Sequence, residues 1–137
     1  MAKVARRFAQ ARQSLQTLYE ALAMPVSPIV RDAAIQRFEY SVETTWKYAQ
    51  AALLAAEQLD VASPRGVVRA CFEREIVGEA AVRELFAALD DRNMTVHTYN
   101  EELAQAIYDR LQSHAFQLRA WQDAVAAYVD EEGIVEN

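Results

Sequence analysis

The chain has 137 residues, 53% of them hydrophobic and 25% charged, with a formal net charge of -6. That size suits one domain able to bury a core, and the composition excludes a disordered chain. The acidic balance argues against a broad basic nucleic-acid surface, although local patches of arginine remain open.

No apolar run approaches the roughly 20 residues of a membrane span, and the opening Met-Ala-Lys-Val-Ala-Arg-Arg lacks an apolar export signal, so a cytoplasmic protein is expected. The single cysteine, Cys71, can form neither an internal disulfide nor a thiolate cluster and reads as a buried thiol.

In chain order, Val4, Phe8, Ala11, Leu15, Leu18 and Leu22 recur at steps of three and four and predict a first helix. Ala23 to Pro28 ends it, and Ser27 followed by Pro28 predicts a capped start for a long second helix. Its stripe is Ile35, Phe38, Val42, Thr45, Ala49, Ala52 and Ala56, running to about Leu59. Tyr40, Trp46 and Tyr48 lie off that stripe and suggest a homodimer surface. Ser63-Pro64 repeats the capping signal before Val67, Val68, Cys71, Phe72 and Ile76, a shorter helix ended by Gly78. Val82, Leu85, Phe86 and Leu89 predict a fourth element between about Glu79 and Asn93.

Thr98-Tyr99-Asn100-Glu101 has the form of a capping box with Thr98 as the cap. The last helix then carries Ile107, Leu111, His114, Leu118, Trp121, Val125 and Tyr128 in unbroken alternation of four and three, a helix packed lengthwise against antiparallel neighbours. Residues from Glu131 to Asn137 read as a polar tail. The expectation is an all-α, antiparallel four- to five-helix up-and-down bundle, one domain over residues 1–137 with an ordered core over about 3–130.

The chemistry-bearing side chains concentrate at one junction, where Arg92, Asn93, His97 and Tyr99 sit between two helices. On spacing alone a capping reading is preferred, with Arg92 compensating the carbonyl end of its helix. His114 reads as a core histidine, and Asp90-Asp91 as a solvated face. No Glu-x-x-His pair, glycine-rich phosphate loop or His-Glu-x-x-His motif is present, so neither a metal nor a cofactor is expected.

The junction resembles the HEPN superfamily, whose mark is an arginine with a polar follower, four to six residues, and a histidine. Here these are Arg92, Asn93 and His97. The extension to Tyr99 resembles HepT-like toxins. The stretches from Arg37 to Lys47 and from Asp91 to Glu101 resemble the branch of nucleotidyltransferase substrate-binding proteins, and the resemblance runs over residues 3–128.

It implies a homodimeric bundle working with a minimal nucleotidyltransferase, as antitoxin or as catalytic subunit, and a metal-independent ribonuclease activity on RNA. In that reading His97 is general base or acid, Arg92 and Asn93 hold the scissile phosphate, and Tyr99 is the hydroxyl that the partner modifies with AMP. Glu39, Glu43 and Lys47 of the second helix are candidate cleft-lining residues or simply its solvated face. The alternative is a non-catalytic subunit that presents substrate to the nucleotidyltransferase.

Overall fold

A computed structural model describes residues 2–134. Five helices follow one another: α1 (Lys3–Leu22), α2 (Pro28–Glu57), α3 (Pro64–Glu73), α4 (Glu79–Met94) and α5 (Glu101–Glu132), with a single 3-10 turn (Thr95–His97) between α4 and α5. The all-α bundle expected from the periodicity is what forms.

The predicted apolar stripes face the core except in the third helix, where Val67, Val68 and Cys71 are buried but Phe72 is exposed and Ile76, beyond the helix end, is only partly buried. Val4, Ala11, Leu15 and Leu18 of α1 meet Ile35, Phe38, Val42 and Ala52 of α2, and all seven stripe residues of α5 from Ile107 to Tyr128 are buried. Phe8 and Leu22 pack at the edge of this core. Ser27 caps α2 by accepting from the Val30 amide at 3.1 Å, and Ser63 caps α3 through Gly66 at 3.1 Å. Gly66 also tolerates no side chain, because a Cβ there would lie 2.7 Å from Val61 Cγ1 and 2.8 Å from Ser63 Oγ.

Helix direction follows from pairings along α5. Arg31 meets Glu101, Thr45 meets Gln122 and Glu57 meets Tyr128. Both members of these pairs rise in number together, so α5 runs in the same sense as α2. It is antiparallel to α1, whose Ala11 and Tyr19 meet Gln122 and Ala115. The sense of α5 is thus set by the α3–α4 excursion rather than by simple alternation.

Three expectations change in detail. α3 ends at Glu73 rather than near Gly78, because Glu75 adopts a left-handed backbone (φ +60°) and the Ile76 amide folds back to the Cys71 carbonyl at 2.9 Å. Gly78 instead precedes the first residue of α4. Tyr48, expected on an outer dimer face, is 2% exposed and packs against Phe8 with ring centroids 5.2 Å apart. Trp46 is only partly buried, and Tyr40 lies open on the surface. The expected polar tail is helical through Glu132 and closes at Gly133, whose φ of +61° suits glycine; residues 135–137 lie outside the described part.

Candidate functional site

The junction between α4 and α5 is tied by short-range bonds. Thr95 is buried and donates its hydroxyl to the Arg92 carbonyl at 2.7 Å, and Thr98 donates to the Thr95 carbonyl at 2.9 Å. Thr98 is therefore not the helix cap. Asn100 takes that place, its side-chain oxygen accepting from the Leu103 amide at 3.2 Å. The shift moves the start of α5 two residues along and leaves Tyr99 outside the helix, 82% exposed. Its ring meets that of His97 edge-on, with centroids 6.1 Å apart. His97 is exposed as well.

Arg92 stands in the last turn of α4, half-buried, and its Nε is enclosed without a hydrogen-bond partner among the described residues. Together with Asn93 it lines a cleft of about 470 Å³ whose other walls include Glu43 and Trp46 of α2 and Arg65 and Arg69 of α3. The structure thus gathers Arg92, Asn93 and Glu43 at one place. Lys47 reaches the cleft only through Glu43, to which it is paired at 3.1 Å. His97 and Tyr99 do not line this cleft, and Glu39 lines a neighbouring groove with Tyr40 and Thr98.

The surroundings of Glu43 favour its charged form. Burial alone would raise its carboxyl, but the Trp46 indole N–H, donating at 3.0 Å, the Lys47 ammonium and the nearby Arg92 charge outweigh it and hold the group below the usual carboxylate range.

The residue before Arg92 departs from its expected role. Asp91, read as part of a solvated face, is buried and binds Arg110 through two parallel bonds of 2.7 Å and His114 Nε2 at 2.6 Å. Burial pushes its carboxyl up, but these hydrogen bonds prevail and its pKa is lowered. His114 is buried as expected and stacks on Phe38 at 5.3 Å. The last turn of α4 is thereby fastened to α5 by one residue and presents the next, Arg92, to the cleft.

No recognised motif marks Arg65 and Arg69, which also line the cleft. Their signal is a spacing of four on α3, which puts both guanidinium groups over Phe86, at 4.6 and 5.5 Å from the ring centroid. Among the described residues no group of three or more His, Cys, Asp or Glu side chains is placed to hold a metal ion.

Residues 6–127 match the model of the family described as nucleotidyltransferase substrate binding protein like. The chain belongs to that family. A Thermus thermophilus protein of known crystal structure is 43% identical over 87% of this chain and 98% of its own, with a TM-score of 0.77. At 14% identity the chain shares the fold of a tri-AMPylated Shewanella oneidensis HEPN toxin solved in complex with MNT antitoxin, covering 90% of this chain and 96% of that one at a TM-score of 0.74. A Haemophilus influenzae structure that reveals the fold of a substrate binding domain of a nucleotidyltransferase matches at 20% identity over 90% and 96% of the two chains, with a TM-score of 0.62. No curated protein matches this chain. No described helix of this family member is long and apolar enough to cross a membrane.

Proposed function

We propose that this chain is a HEPN-type ribonuclease, acting in the cytoplasm as a homodimer and held in check by a partner nucleotidyltransferase that modifies Tyr99. One observation carries the reading: Arg92 and Asn93 face an open cleft at the end of α4, while the next turn leaves His97 and Tyr99 exposed. Membership of a nucleotidyltransferase-associated family and the shared fold with a HEPN toxin bound to MNT antitoxin support it.

The chemistry needs no cofactor. His97 takes the proton of a ribose 2'-hydroxyl, the 2'-oxygen bonds to the adjacent phosphorus, and the 5'-oxygen leaves and is protonated. The products are a 2',3'-cyclic phosphate and a 5'-hydroxyl. Arg92 holds the phosphate and stabilises the charge that builds on it, with Asn93 as a neutral donor. A symmetric dimer brings two junctions together and supplies the second imidazole that acid and base roles require. In silencing, the Tyr99 oxygen attacks the α-phosphorus of ATP on the partner and pyrophosphate leaves, setting a bulky anion beside His97.

The test is incubation of the purified chain and its His97→Ala variant with single-stranded RNA and total tRNA in EDTA. Cleavage by the wild type alone is expected.

A second reading, a non-catalytic subunit that presents substrate to the nucleotidyltransferase, is favoured by one observation: His97 does not line the cleft that holds Arg92. Absence of cleavage by both proteins would select it.

A further inference from the structure

Where the start of α1 meets the end of α5, the bundle holds a groove that neither the proposed cleavage nor the proposed modification uses. Its volume is about 460 Å³, within the roughly 300 to 1,000 Å³ typical of small-molecule sites. Val4, Phe8, Val129 and Ile134 give it an apolar lining, and Tyr48 of α2 stands among them. Asp130 is the one charged residue in its wall among the described residues. It lies near the end of α5, roughly 40 Å along that helix from the junction that carries His97 and Tyr99.

Two polar groups of this groove lack partners. Tyr48 is 2% exposed, and its hydroxyl has no hydrogen-bond partner among the described residues, an unfavourable state for a buried polar group. Burial pushes its phenol up to about 12, with Arg12 opposing the rise and Asp130 adding to it. The hydroxyl is therefore neutral at pH 7, and its oxygen is free to accept a hydrogen bond. Asp130 is exposed and has no ion-pair partner among the described residues. Arg12 does not reach it, being bound to Asp123 at 2.5 Å and Gln122 at 3.3 Å while its guanidinium covers the Phe8 ring. A carboxylate and an unused phenol oxygen thus share an apolar groove in which no lining residue is cationic.

We propose that this groove binds an amphipathic amine, its ammonium held between Asp130 and the Tyr48 oxygen and its apolar body lying on Phe8, Val129 and Ile134. An ammonium suits both groups, because it offers three donors and no acceptor while an ionised carboxylate accepts only. An anionic ligand would meet Asp130 as a like charge, and a neutral one would gain no charge pairing from it. The net charge of -6 also favours the approach of a cation. The proposal does not depend on the functional reading above: it uses neither Arg92, His97 nor Tyr99, and no bond is made or broken.

Calorimetric titration of the full chain with tryptamine, tryptophol and indole-3-acetate compares one apolar body carrying an ammonium, a hydroxyl and a carboxylate. Tryptamine is expected to bind at least about tenfold more tightly than either of the others, the scale of a charged hydrogen bond. Asp130→Asn, a change at an exposed position, is expected to abolish the preference for the amine over the alcohol. Tyr48→Phe, which keeps the ring against Phe8, is expected to weaken tryptamine about fivefold. Thermal unfolding shows whether the variants are folded, and should Tyr48→Phe not fold, the Asp130→Asn comparison decides alone. Failure of all three compounds to bind, equal affinities for them, or a preference kept in folded Asp130→Asn overturns the proposal. So does a tryptamine affinity that falls as the protein is concentrated and its sedimenting mass rises, because a second copy of the chain then covers the groove.

Discussion

The carboxylate of Asp91 is bound by His114 of α5 at 2.6 Å, one residue before the arginine that lines the cleft. With Arg110 completing the clasp, the orientation of the last turn of α4 is decided from the neighbouring helix. Arg92 is thus positioned by a contact that lies outside the cleft.

Asp91→Asn removes the charge from that clasp and leaves Arg110 and His114 without their anion. The expected cost is about 2 kcal/mol, below the value for a fully buried pair because Arg110 is half-exposed. Chemical unfolding of the variant against the wild type measures it. An unaltered midpoint would mean that the clasp adds nothing to stability.

The same group gives a pH dependence of definite sign. The folded-state pKa of Asp91 is lowered from its ordinary 3.8, so the folded state binds fewer protons than the unfolded one in this range. The contribution of Asp91 to stability is complete above the unfolded value and is lost as pH falls through the folded value. Stability of the wild type should drop more steeply than that of Asp91→Asn below about pH 4. Parallel profiles in urea titrations from pH 2 to 6 would contradict this.

Gln122 is fully buried and donates its amide to the Ala11 carbonyl at 3.1 Å and to Thr45 Oγ1 at 2.9 Å, joining three helices. Gln122→Leu should cost about 1–3 kcal/mol, since a similar volume is kept while bonded polar groups lose their partner. The adjacent ion pair of Arg12 with Asp123 lies at the surface, and Asp123→Ala should cost less than about 1 kcal/mol. Thermal unfolding of the two variants ranks them.

The identity of the α5 cap is open to a direct comparison. Asn100→Ala should lower stability by about 1 kcal/mol and fray the start of α5, whereas Thr98→Ala loses one bond within the turn and should cost less. Amide exchange at Leu103 separates them, because only the first substitution frees that amide. Equal protection in both variants would refute the assignment.

Cys71 is 0% exposed and burial pushes its thiol up to about 11. It should resist alkylation at neutral pH in the folded protein and react at once in denaturant. Labelling with iodoacetamide followed by mass measurement checks this.

Much of the bundle was legible because each long helix writes its core face at steps of three and four, and serine followed by proline marks two helix starts. What could not be read came from groups whose role depends on another helix. Asp91 looks like an ordinary surface carboxylate until Arg110 and His114 are brought to it by α5. Arg65 and Arg69 share a cleft with Arg92 and Trp46 only in the folded chain, and no local pattern links residues so far apart. The cap went to Asn100 rather than Thr98 because both types accept from a backbone amide, and the short 3-10 turn, invisible to periodicity, decided between them.

The pairing of α1 with α5 through residues 111 positions apart also bears on the order in which the molecule takes shape. α1 and α2 can pair as soon as both leave the ribosome, being joined by a short loop. The groups that fasten Asp91, however, are translated 19 and 23 residues after it. A nascent chain therefore carries Arg92 before it carries the means to orient it, and the cleft reaches its folded shape only when the last helix has been synthesised and docked.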